Sequence, residues 1–217
     1  MTEIADEEKP DGVTQPGAFW DQKYRGTDFF YGVQPNKFLV DQAYRLDPGA
    51  RVLCLGDGEG RNGIWLAEQG FSVTSVDASP RALQKCVDLA MQRGVFLRTE
   101  CADLREWDWP VDRFDAVVSI YLHLLPDQRS DIHRRALEAL TPGGHFILEA
   151  FHKSQLGNTS GGPKNIELLY LADDLAADFA GADVILLEEA GTILDEGPGH
   201  SGPAAVSRLI ARKPDAL

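Results

Sequence analysis

The segment Val52-Leu53-Cys54-Leu55-Gly56-Asp57-Gly58-Glu59-Gly60-Arg61-Asn62-Gly63 constrains the fold of this chain more than any other. An apolar run with strand character enters a turn of closely spaced glycines, and a helical pattern leaves it at once. Gly56, Gly58 and Gly60 let the backbone turn tightly and keep side chains off the line along which a ligand approaches. Strand, glycine turn and helix in that order open a βα unit, which implies a parallel sheet.

The rest of the chain continues the alternation. Arg51–Leu55 reads as a strand and Arg61–Gln69 as a helix stopped by Gly70. Phe71–Val76 is the next strand, followed by a helix over Ala82–Arg93 with Ser79 as N-cap, Pro80 at its first position and Gly94 just past its end. Strands at Val95–Thr99 and Phe114–Ile120 precede a helix over Gln128–Leu140. Thr141-Pro142-Gly143-Gly144 breaks that helix before a strand at His145–Ala150. After a helix near Leu168–Phe179, strands at Val184–Ile193 and Ala204–Ala211 are joined by so short a loop that the last must run antiparallel. The expected fold is α/β: a Rossmann-like, seven-stranded, mainly parallel sheet with helices on both faces and an antiparallel last strand.

A chain of 217 residues suits one domain. Residues 1–15, acidic and containing proline and glycine, read as a disordered leader, and 16–217 as the folded domain. The 34 acidic residues exceed the 21 basic ones, for a net charge of −13, which disfavours a nucleic acid partner. No apolar run is long enough to cross a bilayer, and the N-terminus lacks a signal-peptide pattern. Cys54, Cys86 and Cys101 are odd in number and lack CxxC spacing, so the expectation is a reducing, cytoplasmic setting with no metal site. The oligomeric state is not legible.

Two cofactor classes compete for the glycine turn. Asp77, at the tip of the next strand about 20 residues on, is placed for a ribose diol in either case. Gly58, Gly60 and Gly63 satisfy the dinucleotide pattern G-x-G-x-x-G, whereas the strand ends at Gly56. Asp57 and Glu59 are poor neighbours for a pyrophosphate but tolerate S-adenosylmethionine, which has no phosphate and carries an ammonium and a sulfonium. That balance favours S-adenosylmethionine over NAD. Asp103 follows the third strand, where S-adenosylmethionine-binding methyltransferases commonly place an acidic residue near the adenine amino group; the plainer reading is a helix or turn cap before Leu104.

At these residues the chain resembles the tellurite-resistance (TehB-like) branch of the class I methyltransferases. Gly56-x-Gly58-x-Gly60-Arg61-Asn62 with Trp65-Leu66-Ala67 carries the resemblance, together with Phe19-Trp20-Asp21, Tyr24, Phe30-Tyr31-Gly32, Pro35-Asn36 and Thr141-Pro142-Gly143-Gly144. It extends from about Phe19 to Lys213. It implies that 16–217 form a methyltransferase domain. Gly56, Gly58, Arg61, Asp77 and Asp103 would then border S-adenosylmethionine, the backbone at Asp57, Ala78, Leu104 and Ile120 would line it, and Trp20 and Tyr31 would close the methionine end. Cys54 departs from the pattern, since many members carry a loop-organising Asp or Glu there; its task would pass to Asp57 or Glu59.

The expected activity is methyl transfer to a small-molecule nucleophile such as a thiol or a chalcogen oxyanion. An NAD(P)-linked oxidoreductase and a non-catalytic S-adenosylmethionine-binding regulatory module are the rivals. Such displacement relies on orientation, and needs a base only for a protonated acceptor. His123, after the fourth strand, and His200, between the last two, are the candidate catalytic residues; each is otherwise a solvated or backbone-bonded loop histidine. Tyr121, Phe151, His152 and Lys164 lie on the same sheet edge. His133 reads as a surface residue on its helix, Trp107 and Trp109 as a packed loop, and Cys54 and Cys86 as core.

Overall fold

The computed structural model describes residues 14–215. All but the last two residues of the expected leader lie outside that range. Seven strands form one sheet: β1 (Arg51–Leu55), β2 (Ser72–Asp77), β3 (Arg98–Cys101), β4 (Phe114–Ile120), β5 (Leu140–Phe151), β6 (Asp183–Asp195) and β7 (Ser201–Arg212). Their order is β3-β2-β1-β4-β5-β7-β6. Pairing is parallel from β3 through β5, and β7 runs antiparallel to both neighbours. This is the expected Rossmann-like plan, and it reverses strand order between β1 and β4, where ligands of such sheets bind.

Helices α1 (Pro16–Lys23) and α2 (Lys37–Gln42) precede the sheet, and α3 (Arg61–Glu68), α4 (Pro80–Arg93), α5 (Pro126–Ala139) and α6 (Ala172–Asp178) cross over it. Side-chain alternation on the strands divides the core. Val52 and Cys54 of β1 pack with Ile64 of α3 and Leu89 of α4 on one face. Leu53 and Leu55 pack with Ile132 of α5 and Leu175 of α6 on the other. Helices therefore cover both faces, as strands apolar on both sides require. Among the described residues no helix is long and apolar enough to cross a membrane.

Local punctuation behaves as read from sequence. Ser79 Oγ accepts from Ala82 N, and Gly94 ends α4 in the left-handed region at φ 69°. Boundaries shift where backbone groups find other partners. The third strand starts at Arg98 rather than Val95, because Val95 N closes the end of α4 on Ala90 O at 3.0 Å. The last helix starts at Ala172 rather than Leu168, because Tyr170 N bonds Phe151 O at 2.9 Å and extends the sheet. Thr141–Gly144 ends α5 and also belongs to β5, with Gly143 N on Lys213 O and Lys213 N on Gly144 O, each at 2.9 Å.

His133 is not a surface residue. It is 1% exposed, with Nδ1 2.8 Å from Asp178 Oδ2, and its ring meets Phe146 and Phe179. Arg129, one turn earlier on α5, donates to the same carboxylate oxygen at 2.7 Å. A polar i, i+4 pair that looks solvated in sequence is thus turned inward by one acid from α6.

Candidate cofactor and acceptor site

The glycine turn leaves β1 with Gly56 and Gly58 both at φ 58° and Gly60 at φ 86°, all left-handed. A Cβ on Gly60 would overlap Cys86 Sγ, so this glycine also sets how closely α4 packs. Asp57 takes the organising task that Cys54 cannot perform: its Oδ2 accepts from Ser75 Oγ and its Oδ1 from Gly63 N at 3.3 Å. Burial pushes its carboxyl up to about 7, against the pull of those two hydrogen bonds. Glu59 pairs with Lys85 and accepts from Phe30 N at 2.8 Å, tying the turn to the N-terminal segment. Both loop carboxylates therefore hold protein rather than ligand.

Asp77 ends β2 and is 8% exposed. Its Oδ2 accepts from Gly58 N and its Oδ1 from Ser79 N, both at 2.8 Å. Ala78 N adds a third backbone hydrogen bond, which leaves the carboxylate acceptor capacity to spare, and the described residues offer it no cationic side chain. Burial raises its pKa while the backbone bonds oppose the rise. Asp103 is engaged twice by the protein. It caps its own turn at Arg105 N, 3.0 Å away, and pairs with the Arg105 guanidinium, whose Nε lies 2.9 and 3.0 Å from the two oxygens. The hydrogen bond from Arg105 lowers its pKa.

An aromatic cover closes over the turn. Trp20 stacks on Tyr24 at 5.7 Å and meets Tyr31 at 6.4 Å, while Tyr31 lies 4.4 Å from the His200 ring. A Cβ on Gly58 would come within 2.8 Å of the Tyr24 hydroxyl, so only glycine admits that ring. Lys23 Nζ rests over the same surface, 5.5 Å from the Trp20 centroid and 5.0 Å from Phe30.

Beyond β4 the chain passes through Tyr121 at φ 54°, a costly conformation for a non-glycine residue and one that concentrates at functional sites. Tyr121 Oη donates to Glu149 Oε1 at 2.8 Å, and Asn36 Nδ2 donates to the same oxygen at 2.7 Å and to Glu196 Oε1 at 3.1 Å. Arg208 Nε lies 2.6 Å from Glu149 Oε2, and an Arg61 amino group 2.9 Å from Glu196 Oε2. Glu196 also faces His200 Nδ1 at 3.2 Å. A carboxylate only accepts, so Nδ1 carries the hydrogen and Nε2 is left as the acceptor. Burial opposes ionisation of Glu196, but His200 and Arg61 outweigh it and hold its pKa at about 2. Burial lowers the pKa of His200 despite Glu196, so the ring is neutral at pH 7.

His123 differs. It accepts nothing at Nδ1, its other nitrogen bonds the Leu168 backbone, and its ring stacks on Phe151 at 5.7 Å. Burial, with His200 nearby, pushes its pKa down to about 3, too low for an efficient base near neutral pH.

All the expected cofactor and catalytic residues reach one cavity of about 880 Å³. Trp20, Tyr31, Gly56, Asp57, Gly58 and Arg61 line it with Asp77, Ala78, Asp103, Leu104, Ile120, His123 and His200. Tyr121 and Lys164 join them; His133, His152, Trp107 and Trp109 do not. The tryptophans are a packed loop, 4.8 Å apart, with indole nitrogens on Glu100 and the Leu104 carbonyl. Sequence reading missed Glu149, Glu196 and Arg208, whose only sequence signal is a charge within an apolar strand or turn. Small-molecule sites span roughly 300–1,000 Å³, so the cavity has the upper size of that range. Its residues fit S-adenosylmethionine: the buried Asp77 carboxylate keeps acceptor capacity for a ribose diol, and the turn itself carries two carboxylates, Asp57 and Glu59, which disfavour a pyrophosphate there.

Residues 52–144 match the family model described as "Methyltransferase domain". A 2-heptyl-1-hydroxyquinolin-4(1H)-one methyltransferase of Mycobacteroides abscessus is 30% identical over 115 residues, covering 52% of this chain and 51% of that protein. Glycine N-methyltransferase of Rattus norvegicus is 30% identical over 184 residues, covering 73% and 61%. The chain thus spans about half to three fifths of the length of these relatives. The TehB structure from Haemophilus influenzae superposes with a TM-score of 0.68 at 20% identity, covering 91% of this chain and 66% of that one. The fold is that of the S-adenosylmethionine-dependent methyltransferases, and residues 52–144 match a methyltransferase domain. TehB is one neighbour among several within that class.

Proposed function

We propose that this protein transfers a methyl group from S-adenosylmethionine to a small-molecule nucleophile carrying an apolar body, with His200 as the base for protonated acceptors. The observation that supports this most is the opening of the His200–Glu196 pair into the cavity that also holds Asp77 and the glycine turn. When bound, S-adenosylmethionine supplies a sulfonium-activated methyl group, which passes to the acceptor lone pair as the C–S bonding electrons return to sulfur. Asp77 holds the ribose end, and Arg61, fixed by Glu196, faces the turn. Glu196 orients the His200 ring so that Nε2 accepts the proton of an acceptor O–H or S–H group. His123 borders the acceptor as a neutral wall.

Leu122, Leu124, Leu168 and Pro163 line the cavity and favour an organic thiol or hydroxyl compound over a bare chalcogen oxyanion. The hydroxyquinolone substrate in the name of one relative has that character. The Gly-Arg-Asn sequence and the aromatic segment at Phe30-Tyr31-Gly32 support the TehB-like branch. Three unpaired thiols accord with a cytoplasmic setting.

The test combines isothermal titration with turnover. S-adenosylmethionine and S-adenosylhomocysteine should bind, NAD and NADP should not, and an aromatic thiol or phenol should be methylated. Binding of NAD in place of S-adenosylmethionine would identify an oxidoreductase. Cofactor binding without turnover across thiols, phenols, amines and chalcogen oxyanions would identify a regulatory module.

A further inference from the structure

We infer that Asn36 is a positioning residue: its side-chain amide holds Glu196, and through it the His200 ring, while tying both to Tyr121 on the facing wall. The consequence for proton transfer rests on the function proposed above; the placement of the imidazole does not.

Asn36 is 1% exposed and does not line the cavity. Both ends of its side chain are engaged. Oδ1 accepts from Leu39 N at 3.0 Å and caps α2, so the nitrogen is the atom that faces the two carboxylates. The Nδ2 hydrogens go one to Glu149 Oε1 at 2.7 Å and one to Glu196 Oε1 at 3.1 Å. Its backbone N donates to Asn62 Oδ1 of α3 at 2.9 Å. The N-terminal segment, α3, β5 and the β6–β7 turn therefore meet at one buried residue.

The orientation of a carboxylate is set when both of its oxygens are held. On Glu196, Arg61 at 2.9 Å and His200 Nδ1 at 3.2 Å converge on Oε2, and so leave its tilt about that oxygen open. Asn36 is the donor to Oε1 and removes that freedom. A tilt of Glu196 would turn the Nδ1–H axis of His200 and carry Nε2 off the line to an acceptor proton, where small errors are costly. The same amide reaches the facing wall. Glu149 Oε1 also accepts from Tyr121 Oη at 2.8 Å, and the Tyr121 ring lies 4.7 Å from that of His200. Glu149 and Glu196 bring like charges to one nitrogen, and the two N–H groups between them offset that repulsion.

The test reads the His200 ring directly, by long-range proton–nitrogen correlation spectra of the full chain labelled with nitrogen-15 histidine at pH 8. His200→Gln assigns the resonance. Wild type should show a neutral ring protonated at Nδ1 with a bare Nε2, because Glu196 can only accept. Asn36→Ser keeps an N-cap oxygen for α2 but is too short to reach the carboxylates, and should give a mixture of both neutral tautomers. Asn36→Asp, which keeps the size and the cap, should do the same where the serine variant fails to fold, because a third negative charge replaces both donors. Turnover adds a readout that a merely structural role would not move. At pH 8 2-naphthol is largely protonated and needs the base, whereas 2-naphthalenethiol is largely ionised and does not. With S-adenosylmethionine, Asn36→Ser should lower kcat/KM at least about tenfold for the naphthol and less than about threefold for the thiol. A wild-type ring protonated at Nε2, a His200 tautomer unchanged in both Asn36 variants, or equal losses for the two acceptors overturns the proposal. If neither compound is methylated while the tautomer still follows Asn36, the methyl-transfer reading fails and the positioning role stands.

Discussion

At the scale of single residues, titration separates groups that hold the turn from groups that act on ligands. Asp57 titrates near 4 in an unfolded chain, and burial raises it to about 7 in the fold. Between those values the folded protein binds the extra proton, so this group costs stability progressively as pH rises from about 4 to 7. The full span is on the order of 4 kcal/mol as an upper figure. Asp57→Asn removes the titration. The melting temperature of the variant relative to wild type, both without cofactor, should therefore rise between pH 4.5 and 8; a constant difference would contradict this account. Asp77→Asn puts an amide N–H against Gly58 N or Ser79 N, both now donors to the carboxylate. It should weaken S-adenosylmethionine at least about tenfold by titration calorimetry, each factor of ten being ~1.4 kcal/mol. Unchanged affinity in a folded variant removes Asp77 from the cofactor site. The lowered pKa of His200 keeps its base form populated below pH 6.5. For a phenol acceptor, kcat/KM should hold to below that pH before falling, and His200→Gln should abolish both the rate and the inflection. An identical profile in the variant would leave His200 without a proton-transfer role.

At the scale of elements, the β6–β7 turn and the Phe30–Gly32 segment interlock. Gly199 N donates to Phe30 O at 3.0 Å, and a Cβ on Gly199 would stand 2.5 Å from both Phe30 Cε1 and Tyr31 Cε1. A Cβ on Gly197 would stand 2.8 Å from the Tyr31 carbonyl carbon. The hairpin that carries Glu196 and His200 is therefore positioned by the N-terminal segment and not by the sheet alone. Gly199→Ala should displace His200 and lower turnover at least about tenfold, because small misplacements of a catalytic group are costly. Thermal unfolding should change little, since the site lies at the sheet edge. Gly60→Ala should act oppositely, opening the α3–α4 packing and abolishing cofactor binding. Wild-type turnover in Gly199→Ala would show that His200 does not depend on the interlock.

At the scale of the molecule, the aromatic cover is a separate layer on a rigid sheet. Asp21 Oδ1 accepts from Ser79 Oγ at 2.8 Å and Arg81 N at 3.0 Å, and Lys85 Nζ donates to the carbonyls of Gly26 and Asp28 at 3.1 and 2.7 Å. These ties are few and partly exposed, so each contributes little against the strands beneath. Local opening of such a cover costs less free energy than global unfolding. Hydrogen exchange should slow on addition of S-adenosylhomocysteine across residues 16–32, while amides of β1 and β4 stay as protected as before. Uniform protection throughout would instead indicate that cover and sheet open together.

What the chain determined by itself is what local spacing encodes. Three glycines at alternate positions, Ser79-Pro80 before α4, Gly94 after it and the short last hairpin act within a few residues, so their consequences need no knowledge of the fold. They led to the sheet, its turn and the carboxylate at Asp77. Tertiary structure decided where charge is buried. Asn36 meets Glu149 across 113 residues and Glu196 across 160, and His133 meets Asp178 across 45. In sequence each is an ordinary polar residue with no period to betray it. Only the folded chain brings Arg61, Glu196 and His200 together, excludes water from them, and sets a neutral imidazole at the cavity wall. Hydrophobic pattern encodes burial of apolar faces, whereas burial of a charge depends on a partner that the chain must first fold to reach.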